Sequence, residues 1–294
     1  MATVSDLMIS LLSALLATNQ PLAVSNVVRQ QTGTTLNLPD PNDPVEQEFQ
    51  KLMAEDDAAH TEVDRWIKEN QSFEEKGAGV QSAVLTARIK QRLEKVRQAY
   101  QSFLQLHPNY ARALVAYASF LSDQDEEAAA CAQLEKAREV DPNNPAVWNQ
   151  LANYYGHNGA ASNAFACYEK AIALNPAESV YYHNLGLTTY LFRQDATNYY
   201  KISEQAVFEK AMAFYRKALE LDPDNFVLAT DYAQSYYGYQ PRKTGDAAAD
   251  RKAVEKHFND AMAAWQTALK LANDDIERQR SEEHTSELQS RLHL

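Results

Sequence analysis

Three prolines set the architecture. Pro108, Pro142 and Pro176 stand 34 residues apart. The residues before them recur as well: "QLEKAREVDP" ends at Pro142, "CYEKAIALNP" at Pro176 and "FYRKALELDP" at Pro223. Proline lacks an amide N–H and cannot continue a helix, so each stop closes one helix and lets another begin. On this period 111–144, 145–178, 179–225 and 226–275 align as four units. Their fourth position holds Leu114, Trp148, Tyr182 and Ala229, and their seventh Tyr117, Leu151, Leu185 and Tyr232. The eighth is small throughout: Ala118, Ala152, Gly186 and Ala233.

The second half of each unit aligns more tightly. Ala130, Ala164, Ala211 and Ala261 share a column, followed by Leu134, Tyr168, Tyr215 and Trp265. Ala137, Ala171, Ala218 and Ala268 come next, and Val140, Leu174, Leu221 and Leu271 close the helix, with Asn273 where the last unit lacks its proline. Steps of four, three and three put these residues on one helical stripe. Small columns let two helices cross closely, and large side chains fill the space beside them. One helical pair cannot bury its own stripe, so the pairs must stack.

These columns (W/L, L, G/A, Y, then A, Y, A, then P) resemble the tetratricopeptide repeat (TPR) over 111–275, roughly half the chain. The resemblance implies an all-α, right-handed superhelical solenoid. Upstream, Gly79 to Leu106 reads as one helix ending in "LQLHP", the second helix of a degenerate unit that caps the stack. Val45, Phe49, Leu52, Ala59, Val63 and Trp66 form a similar stripe. The expected organisation is a small helical start at 1–31, a linker at 32–44, capping helices at 45–106, repeats over 107–275 and a fifth unit opening at 276.

The period breaks twice. Pro176 to Pro223 is 13 residues too long, and Pro223 to Asn273 is 16 too long. Both insertions fall between the first and second helix of their unit. Ser203 reads as an N-cap between a hydrophobic pair, Ile202 and Val207, so the second helix of the third unit starts at Glu204. Two adjacent insertions predict one projecting lobe carrying Phe192, Arg193, Tyr199, Tyr200, Tyr239, Arg242 and Lys243. Aromatic and Arg residues together suit a contact patch, and tyrosines also serve simply to pack insertions together.

By the resemblance, peptides or partner helices lie on a concave face built from the first helices. The matching positions include Arg112, Asn149, Asn153, His157, His183, Tyr190, Thr230, Gln234 and Tyr237. Amides, imidazoles and phenols offer donors and acceptors to an extended peptide, although a solvated helix face is polar too. The Lys and Arg that clamp a C-terminal carboxylate in one subtype are replaced by Val115, Val180 and Asn184; only Asn153 fits that scheme.

A non-catalytic protein- or peptide-binding scaffold is expected, with no cofactor and no metal. No HExxH, CxxC, GxSxG or phosphate-binding glycine loop occurs. His157 and His183 lack further ligands for a zinc site. Cys131 and Cys167 read as packing residues. Net charge is −12, so nucleic acid is disfavoured. The alternative is an accessory domain of a larger enzyme or an exported assembly factor.

The apolar run Leu7 to Ala17 has no preceding Lys or Arg and is too short for a membrane span, which favours an amphipathic helix and a cytoplasmic chain over an exported one. At the other end, "RSEEHTSELQS" resembles translated sequencing-adapter read-through, so 280–294 is expected to be non-native. The apolar face near Met262, Trp265 and Leu269 would then be partly exposed.

Overall fold

The computed structural model describes residues 40–74, 79–241, 243–272, 277–279, 281–284 and 286. It is all-α, and no strand occurs among the described residues. The helices are α1 (Pro44–Glu74), α2 (Ser82–Leu106), α3 (Ala111–Ser122), α4 (Glu127–Val140), α5 (Pro145–His157), α6 (Ala161–Leu174), α7 (Ser179–Leu191), α8 (Arg193–Tyr200), α9 (Glu204–Leu221), α10 (Phe226–Gln234) and α11 (Ala247–Leu271). The chain divides into two compact units, 1–117 and 118–294, with the break inside α3. The expected small helical start at 1–31 lies outside the described residues.

In the first unit α1 and α2 run antiparallel. Phe49 meets Phe103 at a ring separation of 5.8 Å, and the Tyr100 hydroxyl donates to Asp56 at 2.6 Å. Arg92 bridges Glu55 and Glu62 at 2.8 and 2.9 Å. Of the expected stripe, Phe49, Leu52, Ala59, Val63 and Trp66 are buried and Val45 is half-buried; Val96, Tyr100 and Phe103 are buried as well. One boundary differs from the sequence expectation: the second helix starts at Ser82 rather than Gly79. The Asn70 side chain accepts the Val80 amide at 2.8 Å, and Gln81 is extended at ψ 137°, which keeps 79–81 out of the helix.

In the second unit α5 packs on α6, α7 on α9 and α10 on α11. Each second helix also meets the next first helix, so the pairs stack in sequence order. The small columns are the contact surfaces: Ala137, Ala171, Ala218 and Ala268 have no exposed surface, and Leu134, Tyr168, Tyr215 and Trp265 are buried beside them. A Cβ on Gly186 would lie 3.4 Å from the Ala211 carbonyl oxygen, so α7 and α9 approach closely there. The closing column is looser: Val140 is 38% exposed, because it sits on the last helical turn. Trp148 is half-buried, and its indole N–H donates to the Pro142 carbonyl at 2.8 Å.

Local chemistry sets the starts. Asn144 caps α5 with Pro145 in the first turn, Asn225 caps α10, and Asp246 caps α11. Ser203 accepts the Ala206 amide at 3.3 Å and α9 begins at Glu204, as expected.

The two insertions do different things. The first bends the chain at Phe192 and forms α8, which lies against α6, α7 and α9. Its Ala196 is fully buried, and Tyr199 and Tyr200 pack on Phe165 of α6 at 5.2 and 5.6 Å. The second forms a connection after α10 and lengthens the following helix, so α11 spans 25 residues against 14 in α4 and α6.

At the carboxyl end the His284 ring stacks on Trp265 at 4.3 Å, and Trp265 is fully buried. The expected exposure of Trp265 is therefore not found with residues 281–284 in place; Met262 and Leu269 are half-buried.

Candidate functional site

The first helices of the second unit carry a polar seam. Asn184 on α7 donates its amide to Asn149 on α5 at 3.0 Å, and the same nitrogen lies 3.5 Å from the Asn153 oxygen. That oxygen also accepts from the Tyr168 hydroxyl at 2.7 Å, and burial pushes this phenol up to about 12. One step along, His183 on α7 pairs with Asp231 on α10 at 2.8 Å. The geometry repeats: the fifth residue of one unit bonds the sixth residue of the next, Asn149 with Asn184 and His183 with Asp231.

The remaining groove candidates are distributed as follows. Thr230 is buried and donates to its own helix at Phe226. Gln234 is exposed at the end of α10. Tyr237 donates to the His284 carbonyl at 3.2 Å. Tyr190 is seated against Gly238, where an added Cβ would fall 1.8 Å from its hydroxyl. His157 is exposed and lines a small cavity of about 110 Å³ with Ser119, Ser122 and Asn153, whereas His183 is taken by Asp231.

Arg112 belongs to the first unit. Its guanidinium is held by Glu46 at 2.5 Å, beside the Tyr110 hydroxyl, which also donates to Glu46. Burial pushes the Glu46 carboxyl up, but hydrogen bonds from Tyr110, Arg112 and Gln50 outweigh it and hold the group below its ordinary range.

Among the expected lobe residues, Arg193 donates to the Tyr190 carbonyl at 2.8 Å and lies over the Tyr190 ring. Phe192 is half-buried at the bend, and Lys243 is exposed. Tyr199 donates to Glu169 at 3.1 Å, and Tyr239 stacks on Phe208 at 4.1 Å. Arg242 lies outside the described residues. Tyr199 and Tyr200 thus rest on Phe165 of α6, with Lys210 of α9 over the Tyr200 ring, and Tyr239 rests on α9.

Asp231 is not among the expected groove residues, and Asn184 is expected only as a groove position without the clamp's Lys or Arg. A signal for them exists in the sequence: the sixth column reads Gln150, Asn184 and Asp231, polar in three successive units. Among the described residues no group of three His, Cys, Asp or Glu is placed to hold a metal. No described helix is long and apolar enough to cross a membrane.

Residues 145–178 and 208–225 match the family model described as tetratricopeptide repeat. The match is confined to these two segments. No curated protein matches it. Among solved structures, it is similar to Pseudomonas aeruginosa pilF at 15% identity and TM-score 0.48, over 80% of this chain and 92% of that one. A thermophilic TPR protein of Thermus thermophilus, TTC0263, is 16% identical with TM-score 0.47, over 68% and 94%. MamA is 19% identical with TM-score 0.45, over 65% and 99%. The matched TPR segments contain the Ala164–Tyr168–Ala171 stripe and the Tyr215–Ala218 stripe, which pack the second helices.

Proposed function

We propose that the second unit is a non-catalytic protein-binding scaffold that takes an extended peptide segment along its first helices. One observation carries this reading. Each primary amide has both donors and an acceptor, and the Asn184–Asn149 bond uses only the nitrogen of one and the oxygen of the other. Asn184 Oδ1 and Asn149 Nδ2 have no hydrogen-bond partner among the described residues. They offer an acceptor and a donor on neighbouring helices, the pair that the N–H and C=O of an extended backbone require.

The TPR match supports the same reading, because repeats place equivalent side chains at regular offsets. With Val115 and Val180 at the clamp positions, recognition does not depend on a free carboxyl terminus. Selection of a random-peptide phage library on the full chain tests the proposal. Selected peptides should bind equally well with an amidated C-terminus, and Asn184→Ala should weaken them about tenfold, the loss of one or two hydrogen bonds. Peptides that bind Asn184→Ala as tightly as the parent would overturn the assignment, provided helicity is equal in both.

A further inference from the structure

The insertions build a second feature away from the amide seam. They extend α9 and α11 beyond the usual length, and the added turns flank a cleft of about 420 Å³. This lies within the range of small-molecule sites, which combine an apolar floor with a few polar groups. Phe208, Met212 and Tyr236 are buried in the floor, and Tyr239 lies flat on Phe208 with an interplanar angle of 8°. His257 is fixed as well: its Nε2 is 3.0 Å from the Tyr236 carbonyl, and burial pushes its pKa down, so it donates there as neutral imidazole.

The charges at the mouth are not equally available. Lys256 and Asp260 neutralise each other at 2.6 Å, and Glu209 accepts from the Gln205 amide at 3.2 Å. Arg216 is exposed and has no ion-pair or hydrogen-bond partner among the described residues. Glu209 precedes it by seven residues on α9, about 10 Å along the helix axis, so it does not satisfy the guanidinium.

We propose that this cleft binds a small apolar carboxylate, with its aryl or alkyl body over Tyr239 and Met212 and its carboxylate on Arg216. Arg suits the task because its planar fork pairs with both carboxylate oxygens. The site is independent of the peptide reading above, since it uses other helices and other residues.

The full chain labelled with ¹³C-methyl methionine tests this directly, because Met212 lines the cleft and Met53 belongs to the first unit. The probes are 3-phenylpropionate, its amide 3-phenylpropanamide and the cation 3-phenylpropylamine. The acid should shift the Met212 methyl saturably, leave Met53 in place and bind about tenfold tighter than the amide, as one charge-assisted contact implies. Arg216→Gln should erase that preference with an unchanged thermal melt, since the side chain is exposed. No saturation by about 10 mM acid, a ceiling near the weak limit of specific binding, would overturn the proposal. So would equal binding of the amide or amine, or a preference that survives in Arg216→Gln.

Discussion

Asp125 and Gly159, one repeat apart, share a left-handed backbone, with φ 60° and 73°. Each occupies the turn between the first and second helix of its unit, two residues before the second helix begins. Only glycine adopts this region without a steric penalty. Asp125→Gly should therefore stabilise the chain by about 0.5–1 kcal/mol, and Gly159→Ala should destabilise it by about 1 kcal/mol. Nothing lies within 4 Å of a Cβ at Gly159, so the loss would report backbone strain alone. Urea unfolding of both variants checks the pair.

Gly238 and Tyr190 set up a steric test. Gly238→Ala drives a methyl into the Tyr190 hydroxyl and should cost about 1–3 kcal/mol. Removing that hydroxyl with Tyr190→Phe should recover part of the loss. A double-mutant cycle read by thermal melting gives the coupling, and additive effects would show that the two groups do not meet.

The small columns make a graded prediction. A methyl at Gly186 meets its neighbours at ordinary contact distance, so Gly186→Ala should be tolerated and gain up to about 1 kcal/mol of helix propensity. Ala171 has no exposed surface, and Ala171→Arg should cost several kcal/mol, about 3 or more, by overpacking and by burying charge. An unchanged melting temperature for Ala171→Arg would mean that α6 and its neighbours do not pack as described.

Alkaline pH should unfold the chain through its buried phenols. Tyr168 is raised to about 12 by burial, against about 10 in an unfolded chain. A phenol with a raised native pKa contributes stability that is fully present below pH 10 and is lost as pH climbs through 12. For Tyr168 this is about 2–3 kcal/mol. Tyr155 and Tyr199, also raised to about 12 by burial and then by Glu135 and Glu169, act in the same direction. Melting temperature measured from pH 8 upward should fall above pH 10, and Tyr168→Phe should flatten that fall.

Thiol labelling distinguishes the two cysteines. Cys167 is buried, with its thiol pushed up to about 11, whereas Cys131 is half-buried. At pH 8 a disulfide reagent should modify Cys131 first and Cys167 only slowly.

What could be read from the sequence was local. Ser203 and Glu204 announce a helix start by their own chemistry, and Ala164, Tyr168 and Ala171 reveal a buried stripe by spacing alone. The residues that resisted reading are those whose partners are distant. Arg112 resembles a free groove residue until Glu46, 66 positions upstream, arrives beside it. Tyr199 and Tyr200 read either as a contact patch or as packing between the insertions, because nothing in the repeat pattern singles out Phe165 as their support. Asn149 and Asn184 are both legible as groove positions, but their bond is not, because a polar sixth position becomes meaningful only once two units are side by side.

The five-to-six bonding rule has a mechanical consequence. Asn149–Asn184 and His183–Asp231 each reach one unit and no further, so tension applied at one end is handed on hinge by hinge. Severing a single rung should slacken that one joint by about 1 kcal/mol, while the buried columns keep the neighbouring hairpins stacked.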